Sequence, residues 1–111
     1  RENLAALPGV AINPEKEDTV NGAWMPTIVF SPETGITREK LQSAFAEENI
    51  DARVFFWPIS SLDMFQSEEH NANAWSIPQR AINLPSFHEI TKPDQYRVVQ
   101  VVNNLLNDLE I

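Results

Sequence analysis

Cysteine is absent from this 111-residue chain, so neither a disulfide framework nor a thiolate metal site can form. Glycine is scarce and scattered, at Gly9, Gly22 and Gly35, which leaves no glycine-rich loop to cradle a phosphate. Basic residues are in deficit: eight Lys and Arg face sixteen Asp and Glu, a net charge of −8. That field repels nucleic acid and anionic lipid surfaces at long range, and neither is expected as a partner. Long apolar runs are missing too, so no segment is expected to span a membrane. The only imidazoles, His70 and His88, stand eighteen residues apart without metal-binding spacing, and no metal site is expected. Lysine occurs only at Lys16, Lys40 and Lys92, each beside a charged residue or at a helix start. A Schiff-base lysine needs a desolvated pocket that lowers its pKa, and none of these settings offers one.

What is present is enough apolar material for one core. A 42% hydrophobic content over this length supports a single domain over 1–111 and not two. No signal-peptide pattern opens the chain, which points to the cytoplasm. The first residue is Arg1 and not Met, from which trimming from a longer product is expected.

Residues Arg1 to Leu7 read as the end of a helix stopped by Pro8 and Gly9, and Pro14 to Asp18 as a solvated loop. The run GAWMPTIVF, Gly22 to Phe30, is rich in aromatic and β-branched residues and reads as a strand. Pro26 cannot donate to a ladder, so that strand is expected at an edge or with a bulge. Thr37 is placed to cap a helix from Arg38 to about Glu48, with Leu41, Ala44 and Phe45 on its buried face. A second strand is expected over Ala52 to Trp57, ending at Pro58. The polar stretch Gln66 to Asn73 reads as loop and Ser76 to Ala81 as a short helix with Pro78 in its first turn. Thr91 and Asp94 imitate a capping box, and Val98, Val102, Leu105 and Leu109 trace a helical stripe beyond it. A strand, a helix and a strand with short links make a compact α/β unit, whether or not the two strands pair directly.

Five residues around the second strand are candidates for binding. Arg53 can grip a phosphate or carboxylate bidentately, and Phe56 and Trp57 can wall a base or sugar ring; the bland alternative is a surface arginine beside core aromatics. Ser60 and Ser61 can hydrogen-bond a sugar hydroxyl or a phosphate oxygen, or simply cap their own backbone. They lack a nucleophile elbow and no histidine lies near them in sequence. His88, in a loop after Phe87, can line a cleft or satisfy its own backbone. No residue is expected to be catalytic, and none to bind a cofactor.

The runs DARVFFWPISSLDMF (Asp51 to Phe65) and INLPSFHEIT (Ile82 to Thr91) together resemble the DegT/DnrJ/StrS sugar aminotransferases, in their C-terminal domain. LAALPGV (Leu4 to Val10) looks like that family's linker out of its large domain, and the likeness continues through Trp24, Met25 and Ile36 to Arg53. FFWPISS (Phe55 to Ser61) is most similar to the branch related to perosamine synthases; members with a histidine after a Pro-Leu pair would have it where Ser60 stands. Asp63 and Val54 each replace a proline that the pattern favours.

The resemblance implies an α+β fold, a small sheet of two to three strands packed against helices, as the C-terminal domain of a fold-type-I pyridoxal-phosphate aminotransferase. It implies transfer of an amino group, normally from glutamate, to the keto carbon of a nucleotide-diphospho 4-keto-6-deoxy sugar. Pyridoxal phosphate would be held by a large domain of the same chain, not by these residues, and the full enzyme would be a homodimer or higher. On the family pattern Arg53 is the leading substrate contact, with Phe56, Trp57, Ser60 and Ser61 lining the cleft. A domain parted from that partner would be inactive and would expose an apolar patch, for which Trp24, Phe56, Trp57 and Trp75 are the candidates. Two other readings remain: a free-standing acidic α/β module that binds a protein, and a small-ligand regulatory domain.

Overall fold

A computed structural model of the chain describes residues 1–109. Four strands form one antiparallel sheet: β1 (Val10–Ile12), β2 (Thr27–Phe30), β3 (Arg53–Val54) and β4 (Ala81–Asn83), in the order β1-β2-β4-β3. Four α-helices accompany them: α1 (Glu2–Ala5), α2 (Arg38–Glu47), α3 (Ala72–Ser76) and α4 (Lys92–Asn107). The α+β class is as expected, with one strand more than the two to three foreseen.

The sheet is a split β-α-β arrangement. β2 and β3, joined through α2, do not pair with each other; β4 enters between them and is antiparallel to both. Every residue of β4 is buried. Ile28, Phe30 and Ile82 meet Leu41 and Phe45 of α2 and Val98, Val101 and Val102 of α4 in one core. That core follows from spacing: Leu41 and Phe45 stand four apart on one helical face, as do Val98 and Val102.

Pro26 lies just before β2, not within it, and β2 is an interior strand, not an edge. The proline nitrogen has no hydrogen to donate, but its carbonyl accepts from the Leu84 amide at 2.8 Å, so Pro26 closes the ladder at the first position where it is tolerated. Residues 22–26 are consequently not strand, contrary to the reading of Gly22 to Phe30. Asn13 fills the gap on the other side: its side-chain amide donates to the Met25 carbonyl at 3.1 Å while its Oδ1 accepts from the Thr27 amide at 2.7 Å. β3 is likewise shorter than Ala52 to Trp57, because beyond Val54 the register with β4 ends at Ile82. The short helix falls at Ala72–Ser76 and passes into a 3-10 turn over Ile77–Gln79; Ala81 belongs to β4.

Both long helices begin as their caps dictate. The Thr37 side chain accepts from the Lys40 amide, and Thr91 with Asp94 forms a complete capping box. The Asp94 carboxylate accepts from the Thr91 hydroxyl at 2.6 Å and from its amide at 3.2 Å, and these bonds hold its pKa below the ordinary carboxylate value.

Two outcomes are expected. Asn83 is buried and its Oδ1 accepts from the Thr27 hydroxyl at 2.8 Å, so Thr27→Val, which strands that oxygen, should cost about 1–3 kcal/mol in urea unfolding. A depressed folded-state pKa stabilises above the unfolded value and ceases to do so as pH falls through the folded one. The stability difference between the native chain and Asp94→Asn, measured by thermal melts, should therefore shrink as pH drops through and below the ordinary carboxylate range.

Candidate functional site

The register of the sheet sorts the sequence candidates to two ends. Thr27, Asn83 and Arg53 stand in line across β2, β4 and β3, so Arg53 lies at the end from which Leu84 to Thr91 departs. Phe56, Trp57, Ser60 and Ser61 follow Val54 off the opposite end, beside the 3-10 turn that precedes β4. His88 leaves from the Arg53 end, so the structure does not bring it together with the two serines.

Arg53 is an exposed side chain on an edge strand. Its Nε lies 3.0 Å from Oδ1 of Asp51 and its Nη2 3.1 Å from Oδ2, a bidentate pair with both partners open to water. Exposed pairs of this kind contribute only about 0–1 kcal/mol, so the guanidinium can exchange Asp51 for another anion at little cost.

The loop after β3 is organised by a residue outside the set of sequence candidates. Arg38, the first residue of α2, donates through Nη1 to the Phe55 carbonyl at 2.7 Å and to the Pro78 carbonyl at 3.1 Å. Its guanidinium carbon lies 4.3 Å from the centre of a Trp57 ring. A cation in the first turn of a helix opposes the macrodipole by about 0.3–1 kcal/mol. Two charge-assisted bonds, each about 1.5–3 kcal/mol, and a cation–π contact of about 0.5–1 kcal/mol outweigh that term. The available signal is this conflict, since an arginine at a helix start needs a local reason to be there.

Beyond Trp57 the chain turns at buried Pro58 into a 3-10 turn, Ile59–Ser61. The Ser61 hydroxyl donates to the Pro58 carbonyl at 2.7 Å, so this serine caps its own turn. Ser60 differs: its Oγ is buried and has no hydrogen-bond partner among the described residues. An unpaired buried hydroxyl is costly, and because this oxygen is shielded from solvent a ligand or an added surface reaches it only if the loop shifts.

Large apolar side chains crowd the same loop. Phe56, Trp57, Ile59, Leu62, Met64 and Phe65 are all exposed, Met64 by 79% and Ile59 by 69%. Trp24 is also exposed but sits before β2. Trp75 is half-buried, its indole N–H donating to the Glu68 carbonyl at 2.9 Å, so it serves α3 and not the patch.

The Arg53 end of the sheet holds a separate cavity of about 290 Å³ between α1, the open ends of β1 and β2, and α4. Leu4, Ile12, Leu84 and Val99 give it apolar walls, and Asn3 and Gln95 polar ones. Ser86 and Ile90 line it, whereas His88 does not.

These residues do not fit a pyridoxal-phosphate site. Lys16, Lys40 and Lys92 are all exposed, unlike the desolvated lysine the chemistry needs. Gly9 and Gly35 adopt positive φ at separate turns and build no cradle. Among the described residues no group of His, Asp and Glu could hold a metal, and no helix is long and apolar enough to cross a membrane.

Comparison with known proteins places this geometry. GDP-perosamine synthase of Vibrio cholerae is 27% identical over 113 residues, covering 96% of this chain and 30% of the relative. The GDP-perosamine synthase of Escherichia coli O157:H7 is 27% identical over 110 residues, covering 97% and 29%. A crystal structure of DesI in the presence of its TDP-sugar product superposes with a TM-score of 0.79 at 24% identity, over 96% of this chain and 28% of that one, which shows a common fold. The chain thus spans about 30% of the length of the curated relatives it matches. A family model matches residues 1–103, and the chain belongs to the DegT/DnrJ/EryC1/StrS aminotransferase family.

Proposed function

We propose that this chain acts as the C-terminal domain of a pyridoxal-phosphate-dependent enzyme that transfers an amino group from glutamate to the keto carbon of a nucleotide-diphospho 4-keto-6-deoxy sugar. The exposed apolar loop Phe56 to Phe65 is the observation that supports it best. Six large apolar side chains within ten residues are a patch that a domain standing alone would not keep in water. Family membership supplies the chemistry, and perosamine synthases and a TDP-sugar enzyme among the similar proteins supply the substrate class. The amino donor and a cytoplasmic dimer or larger oligomer belong to the same reading.

The cofactor, whose chemistry is amino transfer, is assigned to another domain, since the lysines here are unsuited to it. This domain orients the sugar and excludes water, which converts an encounter in solution into a positioned reaction. Phe56 and Trp57 offer flat apolar faces to the sugar or base. Ser60 supplies an unpaired hydroxyl that a shift of the loop would uncover, Ser61 shapes the turn that holds it, and Arg53 offers a cation that can leave Asp51 for a phosphate. His88, exposed at the Arg53 end, is a secondary candidate for the same anion. By itself the chain is inactive.

The decisive experiment gives the full-length protein glutamate, pyridoxal phosphate and GDP- or TDP-linked 4-keto-6-deoxy sugars in turn, with the amino sugar read by mass spectrometry. Formation of an amino sugar is expected; no product with any of them would sink the reading. In that assay Arg53→Ala should raise the sugar-nucleotide KM about tenfold, the size of one lost charge-assisted contact, with melting unchanged. Normal kinetics would remove Arg53 from the site. Ser60→Ala should leave stability within about 0.5 kcal/mol, whereas Ser61→Ala should cost about 0.5–1.5 kcal/mol. A larger stability loss at Ser60 than at Ser61 would show the assignment of the two hydroxyls to be reversed.

A further inference from the structure

Arg38 joins three segments that are distant in the chain. It stands at the first position of α2, bonds the carbonyl of Phe55 where β3 ends, and bonds the carbonyl of Pro78 in the turn that leads into β4. The same planar group stacks on Trp57. From these contacts we infer that Arg38 is the positioning residue of the substrate-facing loop, holding Phe55 to Ser61 against the body of the domain without touching substrate. The inference rests on the reading of that loop as substrate-facing.

Three observations give the role its content. β3 ends at Val54, and from there to the 3-10 turn at Ile59 no strand pairing holds the backbone. A loop with no ladder, an exposed Phe56 and a half-open Trp57 needs another source of order before it can orient anything. Arg38 supplies it from rigid anchors, because α2 is fixed to the core by Leu41 and Phe45, and Pro78 is buried.

Geometry also explains why arginine is needed. Both hydrogens of Nη1 are directed to carbonyls on different segments, while the face of the group meets the indole. A lysine ammonium has donors but no plane, and so can keep the charge without fixing the angle between loop and turn. Arg80 has a different role, since its Nη1 bonds the Phe30 carbonyl at 2.9 Å and its Nη2 the Ser76 hydroxyl at 3.2 Å, tying the sheet to α3 without reaching the loop.

The test uses the full-length enzyme with Arg38→Met and Arg38→Lys, followed by amide hydrogen exchange and by steady-state kinetics. In both variants, peptides covering 55–65 should exchange faster while those of α2 and α4 keep their protection. The sugar-nucleotide KM should rise about tenfold with kcat changed by less than about threefold, the mark of lost binding geometry and not of lost chemistry. Arg38→Lys keeps the charge and stem if Arg38→Met fails to fold, and its loop should still loosen. Unchanged exchange over 55–65, or an equal increase across α2 and α4, would overturn the role, as would a loosened loop with an unchanged KM. Absence of turnover in the unsubstituted enzyme would instead overturn the aminotransferase reading, and the exchange result alone would then decide whether Arg38 orders the loop.

Discussion

The insertion of β4 between β2 and β3 is the constraint on which the rest of the domain depends. β2 and β3 are joined by a helix and point the same way, so they can share one sheet through a strand of opposite sense. β4 meets that requirement with only three residues, all buried. Burial on both faces explains Ala81 and Ile82; Asn83 is tolerated because the Thr27 hydroxyl answers its oxygen. Since β4 runs against both neighbours, whatever precedes it lies beside the exit of β3, and whatever follows it lies beside the entry of β2. The two runs of sequence with the most suggestive chemistry are therefore sent to opposite ends of the sheet.

Each end then has its own physical character. At one, a cation is committed to structure: Arg38 binds two carbonyls and an aromatic face, and the loop it meets shows apolar side chains to solvent. At the other, Arg53 is held among the described residues by one exposed carboxylate, and a cavity walled mainly by apolar groups lies across the sheet from it, at β1 and β2. In a chain with net charge −8, an anionic ligand is drawn by a local cation or not at all. Arg53 is open to exchange in a way that Arg38 is not, and the loop after β3 is the surface that shows aromatic side chains to solvent.

The helices are legible in the sequence because their signals are local. Thr37 and Thr91 announce two starts, and apolar residues four apart announce two buried faces. The short strands are not: VAI and AIN, three residues each, offer no period to detect, and their pairing is decided by partners far along the chain. Aromatic content misleads at Phe55 to Trp57, where side chains suited to a strand occur in a loop ordered by Arg38. The resemblance to sugar aminotransferases does point to the loop around Ser60 and Ser61. It cannot tell the serine that closes its own turn from the one with a free oxygen, because that difference lies in backbone direction. Arg38 is harder to read, because a helix-start arginine that opposes the dipole signals a local partner without showing which carbonyls it meets.

The described residues offer exposed lysines and no glycine cradle, yet the chain belongs to an aminotransferase family. The contradiction disappears when the apolar loop is taken as a surface that is completed by other parts of the enzyme, which would cover Phe56 to Phe65 and bring a partner to Ser60. Closing such a surface removes water from the aromatic faces around a hydroxyl that is already shielded, and a hydrogen bond formed there is stronger than one formed in solvent. The unsatisfied oxygen and the exposed apolar side chains are then two aspects of one property. Both are unfavourable in isolation, and both are relieved when another surface covers the loop.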